Sequence, residues 1–279
     1  MAVLGFLFAL LDSLSKAVDT LLNKKIMRTR SAEEHAVLRI MFVIPIFLIA
    51  SLFNWRLDVG CIGFLLLYGA LEAVNIFCHQ LAVKHSNAVH VEMIAKSKVL
   101  LAMIVSFVLV IDTLSVGGVI GIAVFVAGAV LTINFQNRND DRTGALGICF
   151  EIVSVIARTF KPFILKTCVR RGLISNETML FLSMVIALVL LFAVLRPRVE
   201  FKTVPVKAYT AQAAIVAAGM LLSGWAVIFA NIVIVNAIES MSVLFVMLIS
   251  AVLYKKKYTA LSAFGCALSV IGIIISIIL

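Results

Sequence analysis

With 279 residues, 63% of them hydrophobic, and a mean hydropathy of +1.16, the chain is far more apolar than a soluble domain, which sits near half apolar. The formal charge of +10 does not imply nucleic acid, because six basic residues (Lys16, Arg39, Lys96, Lys98, Arg158, Lys161) and six acidic ones (Asp12, Asp19, Glu72, Glu92, Glu151, Glu239) fall inside predicted spans and cancel. The whole excess therefore sits in loops and helix ends, where it sets topology and meets lipid headgroups. The five cysteines are scattered without a CxxC pair and the four histidines show no ligand spacing, so no disulfide framework, metal or cofactor is expected.

Ten apolar stretches read as membrane helices: 2–22, 35–54, 60–83, 87–110, 115–135, 143–168, 177–196, 207–228, 231–254 and 257–279. The first lacks a basic leader region and a small-residue cleavage site, so it reads as a span rather than a removable signal. In it, Asp12, Lys16 and Asp19 share one face within about 60°. The second span contains Pro45. The third carries Glu72, Asn75 and His79, with positions 72 and 79 only about 20° apart. In the fourth, Glu92 and Lys96 lie four residues apart and can pair, while Lys98 points about 160° away from Lys96 and needs another neighbour. The sixth places Glu151 and Arg158 on one face, with Lys161 nearby and Pro162 beside them. Carbonyls freed at Pro45 and Pro162 are expected to serve a ligand or water lining a cavity. Gly121, Gly128, Gly265 and Gly272 are expected to let the last hairpin of each half pack closely.

The two halves read as copies. A shift of 144 residues lays Asn87 on Asn231, Gly121 on Gly265 and Gly128 on Gly272, and a shift of 142 lays Lys16 on Arg158 and Lys24 on Lys166. Five helices per half force the second copy to enter the membrane upside down, an arrangement that places substrate near the midplane at the repeat interface. The units are 1–138 and 139–279, forming one integral membrane domain. Of the loop and helix-end lysines and arginines, 14 fall on the side of loops 1–2, 3–4, 5–6, 7–8 and 9–10 and 4 on the side of the termini. The positive-inside rule thus places both termini outside or in a lumen. The sequon Asn176-Glu177-Thr178 falls on that same side.

At about 3 kcal/mol each, twelve isolated intramembrane charges would cost on the order of 36 kcal/mol, beyond the ~5–15 kcal/mol net stability of a domain. They must be paired, hydrated or neutral, either as helix-packing ion pairs or as the lining of a polar cavity. Glu72 and Lys98 stand out because neither has an opposite charge within its own helix turn.

The segments KHSNAVHVEMIAKSKVLLAMIVSFVLVIDTLSVGGVIGIAVFVAGAVLTI and NAIESMSVLFVMLISAVLYKKKYTALSAFGCALSVIGIIISII, with the repeat, resemble the drug/metabolite transporter superfamily in its ten-helix, EamA-like form. The nucleotide-sugar and triose-phosphate branch carries a lysine in helix 4 that meets phosphate, and Lys98 or Lys96 stands at about that place. Glu239-Ser240 departs from that branch, where a basic residue is usual. The exporter-like branch carries a proline in helix 4 and Glu-Pro in helix 9, of which only Glu239 is kept. The resemblance implies cytoplasmic termini, against the charge count, and allows a homodimer.

The expectation is an all-α, multi-pass carrier of ten transmembrane helices in an inverted five-plus-five repeat, embedded in a lipid bilayer and not an enzyme. It would move a small polar, anionic or zwitterionic metabolite, of phosphorylated-sugar or nucleotide-sugar type, by alternating access. Substrate contacts are expected from Lys98, Lys96, Glu72, Glu92, Lys16, Arg158, Lys161 and His79. A proton-coupled exporter of amino acids, amines or drugs using Glu72 or Glu92, and a non-transporting scaffold or channel, are the rival readings.

Overall fold

The computed structural model describes residues 1–26, 31–85, 91, 94–95, 97–109, 115–134, 145–197, 199, 204–254 and 259–278. In chain order these form α1 (Ala2–Ile26), α2 (Ala32–Phe53), a 3₁₀ turn (Val59–Cys61), α3 (Ile62–His85), α4 (Lys98–Leu109) and α5 (Val116–Asn134). The second half supplies α6 (Ala145–Arg170), α7 (Asn176–Leu195), α8 (Val206–Phe229), α9 (Ile232–Ser240), α10 (Ser242–Tyr254) and α11 (Ala260–Ile278). The described residues are all-helical apart from turns and one isolated bridge between Leu57 and Ile174. Among them, five helices are long and apolar enough to cross a membrane. The protein is thus a multi-pass integral membrane protein. The stretches 2–26 and 145–170 carry more charge than the rest, which follows from their position around a polar interior.

Local chemistry explains where helices begin. The Ser31 hydroxyl accepts from the Glu34 N–H at 3.2 Å, and Glu33 and Glu34 occupy the first turn, a favourable end for negative charge. Ser175 does the same for α7 through the Thr178 N–H at 3.2 Å. Asn231 caps α9 by accepting from Val233 at 2.9 Å. The sequon asparagine, Asn176, is fully buried against Gly224 and donates to the Leu221 carbonyl, so the expected outer-side sequon is sealed inside the fold.

Pro45 and Pro162 lie inside helices α2 and α6, where each removes one backbone N–H donor, and Pro162 lines the cavity described below. The interruptions occur instead at Ser97 and Met241. Ser97 N–H and Ser97 Oγ both donate to the Ile94 carbonyl (2.9 and 2.6 Å), and α4 restarts at Lys98. Met241 N–H donates to Ile238 at 2.9 Å, and α10 restarts at Ser242. Each is a tight i to i−3 turn within an otherwise apolar span. Glu92, Lys96 and the expected Glu92–Lys96 pair lie outside the described residues.

α5 and α11 form the tightest seam. A Cβ at Gly121 would come 2.6 Å from the Gly272 carbonyl, one at Gly272 would come 2.6 Å from the Gly121 carbonyl, and one at Gly128 would come 2.7 Å from the Gly265 carbonyl. Only glycine lets these backbones meet, and it does so between the last helices of the two halves rather than within the last hairpin of each half, where close packing was expected. Elsewhere α1 packs mainly against α8, α3 against α6 and α7, and α2 against α7. One end is closed by main-chain ties between the α2–α3 and α6–α7 connections: Asp58 N–H to the Leu173 carbonyl (2.8 Å) and Ser175 N–H to the Arg56 carbonyl (3.3 Å). Beneath them Cys61, Leu65, Tyr68, Leu165, Cys168, Ile174 and Met179 form an apolar plug.

Candidate functional site

Between the helix bundles lies a cavity of about 740 Å³, within the ~300–1,000 Å³ that small-molecule sites occupy. It runs from the plug, at Tyr68 and Leu165, past the middle of α1, α3, α6 and α9, to Asn23, Ala32, Lys84 and Val91 at the opposite end. Six of the eight expected substrate-contact residues line it: Lys16, Glu72, His79, Lys98, Arg158 and Lys161. The other two, Lys96 and Glu92, are outside the described residues.

The charges meet as pairs between helices. Glu239, on the last turn of α9 and 5% exposed, is the hub. Its Oε2 accepts from Lys16 Nζ of α1 at 2.7 Å and from Lys98 Nζ of α4 at 2.9 Å, while Ser223 of α8 donates to its Oε1. Lys16 also reaches Asp12 Oδ2 at 2.6 Å. Lys98 and Glu239 therefore join the two broken spans at their breaks.

A second pair joins α3 and α6, where Lys161 donates to Glu72 and lies 5.5 Å over the Tyr68 ring. Glu72 and Lys98, which look unpaired within their own helix turns, thus both find partners across the bundle. A third group also spans α3 and α6. His79 Nδ1 shares a hydrogen bond with Glu151 Oε2 at 2.9 Å, and Arg158 donates to Asn75 Oδ1 from Nε at 3.1 Å and to Ser154 Oγ from Nη2 at 3.3 Å. A fourth ties α1, α2 and α8: Arg39 donates to Asp19 Oδ2 at 2.6 Å and Gln212 to Asp19 Oδ1 at 2.8 Å.

Buried charges are tolerated only when paired, and this network meets that need. Among the described residues, Lys16, Arg39, Lys98, Arg158 and Lys161 face Asp12, Asp19, Glu72, Glu151 and Glu239, while the buried Lys166 of α6 donates to the Ala230 carbonyl. Near the far end, Lys84 stands 3.7 Å from Glu33. Sequence reasoning did not place Glu239, Asp12, Asp19, Arg39, Tyr68 or Ser223 at the site. The charged stripe of α1 signalled Asp12 and Asp19, whereas nothing local signalled Ser223 or the hub role of Glu239. Among the described residues no group of His, Cys, Asp and Glu could hold a metal ion.

Residues 3–134 match the EamA-like transporter family. No curated protein matches the sequence. One solved structure, described only as a crystal structure of protein, is similar over 98% of this chain and 95% of its own length, with a TM-score of 0.77 and 15% identity. Likeness at that identity speaks for the fold alone, and it covers both halves. Over residues 3–134, just under half of its length, the chain is thus similar to the EamA-like transporter family of the drug/metabolite transporter superfamily.

Proposed function

We propose that this chain is a secondary carrier that moves a small polar metabolite bearing an anionic group, or both an anionic and a cationic one, through the central cavity by alternating access. The observation that carries this reading is the convergence of cross-helix ion pairs on one cavity, with Lys98 and Glu239 meeting where two spans are interrupted. Interrupted helices at a midplane site are a recurring way for carriers to bind polar solutes. An anionic substrate group can replace the Glu239 carboxylate on Lys16 and Lys98, and a cationic group can occupy Glu239. Phosphorylated sugars and nucleotide sugars are the first anionic class to test.

Reading 1–138 and 139–279 as an inverted repeat supports the same mechanism. The turns at Ser97 and Met241 are 144 residues apart, the same offset that pairs Gly121 with Gly265 and Gly128 with Gly272. Under that exchange the contact of Gly121 with Gly272 maps onto that of Gly265 with Gly128, as a two-fold relation requires. The ties at the closed end are the contacts that must open on the other half of the cycle.

The test is thermal unfolding of the purified protein with sugar phosphates, nucleotide sugars, amino acids and choline-like amines. A ligand at 100 times its Kd adds about 2.7 kcal/mol to stability. Stabilisation by an anionic or zwitterionic compound, lost in Lys98→Ala and kept in part by Lys98→Arg, is the expected result. Stabilisation by amines alone, or an indifferent Lys98→Ala, overturns it.

A further inference from the structure

The His79–Glu151 pair stands apart from the rest of the network. Glu151 is fully buried on α6, and its second oxygen, Oε1, has no hydrogen-bond donor. The nearest cation, Arg158 Nη2, is 3.9 Å away, too far for a hydrogen bond, and is held by Ser154 instead. His79 lines the cavity with 22% of its side chain exposed, so the imidazole stands between cavity and carboxylate. The carboxylate thus has one oxygen bare among the described residues and the other on an imidazole.

The charge balance gives that proton a use. The five cavity cations Lys16, Arg39, Lys98, Arg158 and Lys161 already face five acids, so an anion entering the cavity adds a negative charge where water is scarce. Resting on the carrier reading above, we propose that His79 and Glu151 form a proton site whose occupation frees the Arg158 charge for an anionic substrate, making the carrier a proton–anion symporter. A proton from cavity water adds to His79 Nε2, and the Nδ1 proton passes to Glu151 Oε2. The imidazole ends neutral in its other tautomer, the carboxyl ends neutral, and Arg158 is left without a countercharge. Asn75 and Ser154 keep the guanidinium in place.

The other charged groups around the pair are already engaged. On α3, Glu72 holds Lys161 of α6, and the Cys78 thiol is within electrostatic reach of Glu151. From α4, Lys98 faces Arg158 while bound to Glu239. On α2, Arg39 is bound to Asp19, Glu33 faces Lys84, and His35 bonds Tyr209 of α8. On α7, Glu177 accepts from Asn54. Among these described groups, Glu151 is the acid that keeps a bare oxygen while its other oxygen bonds a cavity-lining imidazole.

Infrared difference spectra of the purified full chain between about pH 8 and pH 5, the interval in which a histidine ordinarily changes charge, test the site directly. A carboxyl C=O band should grow as pH falls, disappear in Glu151→Gln, and move its midpoint in His79→Gln, a shift that a merely structural histidine would not cause. Coupling is tested with glucose 6-sulfate, whose charge is constant over this interval, and with glucose as the neutral control. Its Kd should fall by about fivefold or more on acidification, a typical coupling factor, and this dependence should vanish in Glu151→Gln. A band unchanged in Glu151→Gln, or an unmoved midpoint in His79→Gln, overturns the proton site. Binding of glucose 6-sulfate that is independent of pH overturns the coupling. Binding at no pH, with the band behaving as expected, overturns the anion-carrier reading beneath it and leaves the proton site standing.

Discussion

Glu239 and Lys98 form one ion pair, yet removing its two members should not cost the same. Lys98 is 7% exposed, and Glu239 is its counter-ion in the network, so Glu239→Gln leaves a buried ammonium facing Arg158 without compensation. Breaking a buried pair in this way costs about 3–5 kcal/mol. Lys98→Met leaves Glu239 with Lys16 at 2.7 Å and with Ser223, so the loss approaches about 1.5 kcal/mol, the low end for a hydrogen bond to a charged group. At roughly 2 °C per kcal/mol for a chain of this size, Glu239→Gln should melt about 3 °C or more below Lys98→Met. The assay is thermal unfolding of the purified variants at fixed detergent and pH. The double variant should lose less than the sum of the two, by about 0.5–3 kcal/mol. Equal losses, or a larger loss for Lys98→Met, would show that Glu239 is not the hub and that Lys16 does not hold it.

Two further outcomes follow from packing. Gly272→Ala should force α5 and α11 apart, because the added methyl meets the Gly121 carbonyl at 2.6 Å and backbone atoms of Phe125. The loss should be about 1–3 kcal/mol in a melt, whereas Gly63→Ala, with nothing within 4 Å, should lose nothing. Expression in glycosylating cells should give no glycan at Asn176, so glycosidase treatment should leave the protein's mobility unchanged; a mobility shift traced to Asn176 would contradict its burial.

Much of this architecture could be read from composition. The apolar runs, the charged stripes of α1, α3 and α6, and the glycine spacing of α5 and α11 each follow from helical periodicity within one segment. The pairing could not be read, because it is non-local. Lys16 and Glu239 are separated by 223 positions, Lys98 and Glu239 by 141, and Glu72 and Lys161 by 89. Within its own helix Glu239 is simply an acid in an apolar run. The breaks were hidden for a related reason. Pro45 and Pro162 carry the local signal of a break yet lie inside continuous helices, whereas Ser97 and Met241 carry no such signal and lie where Lys98 and Glu239 meet. The charge count, which concerns loops largely outside the described residues, gave no cavity.

The closed end and the cavity differ in what they ask of the sequence. The ties from Asp58 to Leu173 and from Arg56 to Ser175 run through the main chain, which nearly every residue type supplies, whereas, on the carrier reading proposed above, recognition in the cavity depends on the identity of Glu239, Lys98, Arg158 and a few others. Substitutions along the cavity wall can therefore redirect what is carried while the barrier keeps its hydrogen bonds. In a lineage of such carriers, selectivity can drift quickly and the gate slowly, because the two are written in different parts of the polypeptide.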